Sequence, residues 1–212
     1  MDEKKPRLII AGCGPGSPDY LTSAAIKAVE QAEVLVGASR LLELFPEHGA
    51  EKIVVGADIE KVLSEIDSRL GRKIVVLVSV DPGLCSLALP IIERFGRSEC
   101  GIIPGVSSVQ VAFARIGMDW LDARIIDAHG ENPDLTPSLL KKERKIAIFA
   151  GRKEAIRWIA AMAKAIGKGS SIYLCENLTL ENERVRRIAP ADLERIDASS
   201  RSIVLIIRED LL

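Results

Sequence analysis

The run RKIVVLVSV, residues 72–80, constrains the fold most. From Ile74 to Val78 it has no polar face, so a strand built from it must be covered on both sides, as strands of parallel sheets are. Its neighbours fit that setting, because short β-rich runs alternate with segments of helical period. Residues 7–12 read as a first strand, followed by a helix over Ser23–Gln31 with Thr22 as its N-cap. AEVLVG is a second strand and IVVG, residues 53–56, a short third. Asp58–Leu70 carries an apolar stripe at Ile59, Val62, Leu63, Ile66 and Leu70. After the central run come a helix over Leu84–Phe95, the strand end CGIIPG and a helix over Ser107–Ile116.

The rhythm changes at GMDWLDAR, residues 117–124. Beyond it the chain reads as strand 124–128, a polar loop with Pro133 and Pro137, strand 145–150, helix 153–166 and strand 171–176. A strand at 183–188, a short helix after Pro190 and a last strand at 202–208 complete a mixed sheet with hairpin-like connections. The expected architecture is therefore α/β in two domains, residues 1–118 with a mostly parallel sheet and residues 119–212 with a mixed one.

With 48% apolar and 4% aromatic residues, the core must be aliphatic. A net charge of -1 gives no electrostatic case for nucleic acid. No run approaches the roughly 20 apolar residues of a membrane span, and MDEKKPRLIIAG lacks the apolar stretch of a signal peptide. Cys13, Cys85, Cys100 and Cys175 show no C-x-x-C spacing and read as buried free thiols. His48 and His129 are too far apart in sequence to suggest a metal centre. The expectation is a soluble, cytoplasmic protein with no metal, nucleic-acid or membrane partner.

Three loops follow apparent strand ends, where open α/β sheets gather ligands. The first, Gly12–Gly16, fails as a dinucleotide fingerprint. The third glycine of G-x-G-x-x-G would fall on Ser17 or on Asp19, and Pro15 and Pro18 keep the helix from starting at once. Arg40, beyond the second strand, keeps an NADP-binding oxidoreductase as an alternative. The second loop, SVDPGLCS, is turn chemistry, with Asp81 either a cap near the next helix or a ligand contact. In the third, IPGVSSVQ, Ser107 and Ser108 either cap a helix or bond a ligand's polar edge.

Taken together, GCGPGSPDYLT, AEVLVGASRLLELFP, VSVDPGLCSLA, IPGVSSVQVAFARIGMDWLDARIIDAHG and LCENLTLENERVRRI closely resemble the tetrapyrrole methylase family. The resemblance runs from about residue 7 to residue 208, and PGVSSVQ, DAHG and ENL...ERV point to its precorrin C5-methylating branch. It implies a two-domain tetrapyrrole methylase fold that binds S-adenosylmethionine (SAM) in a cleft between domains. The implied cofactor residues are Pro15, Ser79, Val80, Asp81, Leu84, Ser107 and Ser108, then Ala150, Gly151 and Leu178. The implied activity is C5 methylation of cobalt-precorrin-7 in cobalamin biosynthesis, by a homodimer that stands apart from any C15-methylating, decarboxylating enzyme. Methylation at another ring position and a non-catalytic binding module are the competing readings.

Val80 departs from the family, which usually has glycine before this aspartate. Glycine there permits φ > 0 or close backbone approach; valine makes the first costly and narrows the second. A smaller departure is Leu84-Cys85 where an aromatic residue would follow Gly83. For chemistry, positioning is expected to dominate and no single catalytic side chain is assigned. His129 and Glu176 are candidate bases, each weighed against a structural role. A polycarboxylate substrate asks for local cations, with Arg40, Arg115, Arg124, Arg152 and Lys153 at expected element ends. Of these, Arg40 and Arg152 are the expected substrate contacts.

Overall fold

The computed structural model describes residues 8–84, 86–167 and 169–212. Cys85 and the start of the first expected strand, at residue 7, lie outside them. The chain divides into two compact units, Met1–Ser107 and Ser108–Leu212.

The first unit contains β1 (Leu8–Gly12), α1 (Ser23–Glu30), β2 (Val34–Gly37), α2 (Ser39–Leu42), β3 (Glu51–Val54), α3 (Ile59–Asp67), β4 (Ile74–Val78), α4 (Ala88–Phe95) and β5 (Cys100–Ile103). Its sheet has the order β3-β2-β4-β1-β5, every pairing parallel. The apolar run at 74–78 is the middle strand, covered on both faces as its composition requires. Ile74, Val76 and Val78 pack with Leu8, Ile10 and Ile66 on one side. Val75 and Leu77 pack with Val29, Leu35 and Leu41 on the other. Burying each such side chain stabilises the fold by about 1.5–3 kcal/mol.

The second unit contains α5 (Ser108–Arg115), β6 (Arg124–Asp127), α6 (Pro137–Leu140), β7 (Lys145–Ala150), α7 (Lys153–Ile166), β8 (Ser170–Glu176), β9 (Arg184–Ile188), α8 (Pro190–Leu193) and β10 (Ser202–Arg208). Its sheet, β6-β7-β10-β8-β9, is mixed: β6 and β7 are parallel and the other pairs antiparallel. Ile156, Ile159 and Ala160 of α7 pack with Ile146, Ile148, Leu174 and Val204 of the strands.

Each element expected from the sequence is present, but several boundaries differ and two short helices are added. The helix expected from Leu84 starts at Ala88. The Ser86 hydroxyl donates to the Pro82 carbonyl at 2.7 Å and accepts from the Ala88 N–H at 3.1 Å. Helix α3 excludes Asp58, whose carboxylate accepts from the Lys61 N–H at 3.0 Å as its N-cap. The third strand runs over Glu51–Val54, set by pairing of Val34 with Glu51 and of Gly37 with Val54. Its exposed polar residues gave no apolar signal. Helices α2 and α6 were not expected, since four residues are too few to register a helical stripe. Thr22 is the N-cap of α1, accepting from the Ala25 N–H at 3.1 Å. Among the described residues, no helix is long and apolar enough to cross a membrane.

Candidate functional site

Strands β4, β1 and β5 are adjacent and parallel, so the three loops singled out in the sequence leave from the same sheet edge. Main-chain bonds knit them together. Gly14 and Val80 exchange two, N–H to carbonyl, at 3.2 and 2.9 Å, and the Cys13 N–H reaches the Val78 carbonyl at 2.9 Å. Asp81 joins the second loop to the third: one carboxylate oxygen accepts from the Gly83 N–H at 2.8 Å, the other from the Gly105 N–H at 3.0 Å. The carboxylate therefore braces two loops rather than capping α4.

This knot depends on two glycines. A Cβ on Gly105 would lie 2.2 Å from the Val80 carbonyl oxygen and 2.8 Å from the Gly12 carbonyl carbon. One on Gly12 would lie 2.6 Å from both Gly105 N and that same oxygen. Backbone meets backbone here, with no flexible side chain to yield.

Val80 itself has φ +51, a left-handed conformation that is a genuine outlier for a β-branched residue. The loop thus keeps the geometry that glycine would give, at a cost. Replacing Val80 with glycine is expected to raise the unfolding free energy by about 1 kcal/mol, while Val80→Ala, which keeps the Cβ, lacks that gain. Urea denaturation of the three proteins checks this, and equal stability of wild type and Val80→Gly would remove the strain argument.

Around the knot stand the other expected contacts of this unit. Arg40, the second residue of α2, donates to the Ser79 hydroxyl, which places a guanidinium beside the end of β4. Pro15 and Leu84 are half-buried, and Ser107 is buried. Ser108, first residue of α5, belongs to the second unit and is half-buried.

In the second unit, Ser202 at the start of β10 pairs with Ala150 on one side and Glu176 on the other. The segments after β7 and β8 and before β10 therefore share one sheet edge. Ala150 and Leu178 are 1% and 4% exposed, so only an edge of each meets solvent or a ligand. Gly151 lies against the histidine candidate: its Cβ would stand 2.3 Å from His129 Nδ1 and 2.8 Å from the Ser200 carbonyl oxygen. Arg152 donates through Nε to the His129 carbonyl at 2.8 Å. Its Nη2 reaches the Ala128 carbonyl at 3.2 Å and Asn132 Oδ1 at 3.1 Å. These acceptors are neutral, so the guanidinium orders the loop, and among the described residues its charge is opposed only by Glu154 at 3.9 Å.

The remaining candidates separate by their partners. Glu176 is 5% exposed, and both carboxylate oxygens are engaged, by the Ser199 N–H at 3.0 Å and by Arg186 Nη2 at 2.6 Å. That is a structural pattern. Arg115 forks onto Glu183, Nε to Oε1 at 2.5 Å and Nη2 to Oε2 at 3.2 Å. Arg124 pairs with Glu143 at 3.0 Å, and Lys153 is exposed at the start of α7. Glu183 is the residue that the sequence reading missed; its motif was quoted, but no local spacing ties it to Arg115. Hydrogen bonding to Arg115 first, then to the Thr179 N–H, holds the Glu183 carboxyl below its usual range. Whatever this exposed pair contributes is present above the ordinary carboxylate range and fades as pH falls through the lowered value.

Cys13, Cys100 and Cys175 are free, the first and last buried. Burial pushes the Cys13 and Cys175 thiols up to about 12, only partly opposed at Cys13 by the Arg40 charge. Protonated and enclosed, both are expected to resist iodoacetamide at pH 8 in the folded protein and to react fully in urea. Peptide mass spectrometry reads this out, and labelling of either under native conditions would contradict it.

Comparison with known proteins identifies the family. A model of the tetrapyrrole (corrin/porphyrin) methylases matches residues 7–194. The cobalt-precorrin-7 C(5)-methyltransferase of Salmonella typhimurium is 34% identical over 200 residues, covering 94% of this chain and 98% of that protein. The precorrin-6Y methylase structure from Archaeoglobus fulgidus aligns with TM-score 0.73 at 26% identity, over 95% of this chain and 98% of its own. A uroporphyrin-III C-methyltransferase from Thermus thermophilus, solved with S-adenyl homocysteine, shares the fold with TM-score 0.76 at 17% identity, over 95% and 92%. The chain belongs to the tetrapyrrole (corrin/porphyrin) methylases.

Proposed function

We propose that this protein is a SAM-dependent C-methyltransferase that methylates C5 of cobalt-precorrin-7 in cobalamin biosynthesis. The observation that carries the reading is the 34% identity to a cobalt-precorrin-7 C(5)-methyltransferase over nearly the whole of both chains. The donor set of the loops fits the cofactor. Serine hydroxyls at Ser79, Ser107 and Ser108 suit its polar amino-acid end, and the Asp81 oxygens suit a ribose. Pro15, Val80 and Leu84 offer apolar surface, as do Ala150, Gly151 and Leu178 at the second sheet edge. Arg40, beside the end of β4, and Arg152, whose hydrogen bonds go to neutral oxygens, are proposed as carboxylate contacts for the tetrapyrrole.

When bound, SAM supplies an electrophilic methyl group on a sulfonium. What this chain contributes is geometry: loops tied to one another by hydrogen bonds, and cations that orient the ring. Well-oriented reactants in model systems gain about 7–11 kcal/mol from such placement. Glu176 is held by two donors and is not assigned as a base. A homodimeric state, a cytoplasmic location and a separate C15-methylating partner enzyme complete the proposal; these rest on family membership.

Incubation with methyl-labelled SAM and cobalt-precorrin-7, followed by mapping of the labelled carbon, tests the reading. Label at C5 is expected. Label at another carbon would reassign the ring position, and no transfer together with no binding of S-adenosylhomocysteine would overturn the methyltransferase reading.

A further inference from the structure

Among the described residues of the second unit, the turn after β8 holds two of the three non-glycine residues with positive φ. Asn177 has φ +49 and Thr179 φ +70, so two residues with side chains adopt the left-handed conformation on either side of Leu178. For threonine, branched at Cβ, that conformation is an outlier. Strain of this kind persists only where the surroundings over-determine it, and it concentrates at ligand clamps.

The surroundings here are specific. The Asn177 N–H donates to the Arg201 carbonyl at 3.0 Å, and Asn177 Oδ1 accepts from the Ser199 hydroxyl at 2.7 Å. The Thr179 N–H donates to Glu183 Oε2 at 2.6 Å. The same carboxylate receives the Arg115 fork from the last turn of α5. One ionised group therefore ties a helix end to the strained peptide. Losing this charge-assisted bond would let Thr179 relax toward the extended region that β-branched side chains prefer.

We propose that Glu183, seated by Arg115, is a positioning residue: it clamps the Thr179 N–H and so keeps the 177–179 turn in the geometry that sets Leu178 against the cofactor. This rests on the reading that Leu178 contacts SAM. Glu183 touches neither cofactor nor substrate in this role; it acts through the backbone of Thr179.

Calorimetric titration with S-adenosylhomocysteine, run beside thermal unfolding, tests the assignment. Glu183→Ala is expected to weaken binding about 10-fold. Glu183→Gln keeps an oxygen but loses the charge, so a smaller loss is expected, and it carries the test if the alanine variant does not fold. Adding Thr179→Gly to Glu183→Ala is expected to recover most of the affinity, because glycine takes φ > 0 without a clamp. A merely structural ion pair would lower the melting temperature and leave the affinity of the folded protein unmoved by either change. Glu194→Gln, which removes a more exposed pair with Lys164, serves as the control and is expected to bind as wild type does. Wild-type binding with Glu183→Ala and Glu183→Gln both within about twofold of it would overturn the proposal and leave the cofactor reading intact. Absence of binding by the wild type would instead remove the cofactor reading, and this proposal with it.

Discussion

Gly105→Ala is expected to destabilise the protein by about 3 kcal/mol or more and to abolish cofactor binding. The added methyl would occupy space 2.2 Å from the Val80 carbonyl oxygen, with Gly12 Cα at 2.9 Å on another side. Both neighbours are main chain in strand-end loops fixed by the Gly14–Val80 pair and by the Asp81 bonds. Relief is therefore available only by separating the loops, which breaks those hydrogen bonds and leaves the Asp81 carboxylate without its Gly105 donor. Gly49→Ala is the matched control, since its Cβ would meet nothing within 4 Å. Urea unfolding and titration with S-adenosylhomocysteine measure both effects. A Gly105→Ala protein within about 0.5 kcal/mol of wild type would show that the close approach is not required.

Much of this site was legible in the sequence because a parallel sheet converts a local signal into a spatial one. Each of the three loops is marked by glycine or proline after an apolar run, and parallel pairing of β4, β1 and β5 places all three loops at one edge. The fully apolar stretch from Ile74 to Val78 identified the central strand for the same reason: only a two-sided core accepts it. What stayed hidden is what side chains do across long separations. No pattern near Asp81 announces Gly105, and none near Glu183 announces Arg115, because such bonds depend on where the fold sets the elements. Val80 shows a third kind of limit. Its identity argued against a left-handed backbone, yet Val80, paired with Gly14 of the first loop, adopts φ +51, and tertiary constraint wins over residue preference. Arg152 was readable as a cation near a strand end, but not as the brace of the 128–132 loop.

Glu176→Ala is expected to destabilise the second unit by about 2 kcal/mol, with little change in turnover by the protein that remains folded. Removing one partner of a buried ion pair costs about 3–5 kcal/mol. The figure is reduced here because the Arg186 side chain is 42% exposed and returns in part to water. The Ser199 N–H, which donates to Glu176 at 3.0 Å, also loses its acceptor, and with it one tie between β8 and the segment leading into β10. A general base would give the opposite pattern. Its loss lowers turnover by about a hundredfold or more and need not affect folding. Glu176→Gln sharpens the contrast, because it keeps an amide oxygen for the Ser199 N–H while removing both the charge and any ability to take a proton. Turnover near wild type in Glu176→Gln, with stability between wild type and Glu176→Ala, is the result expected of a brace. A Glu176→Gln protein as stable as wild type but without turnover would instead make this carboxylate the proton acceptor.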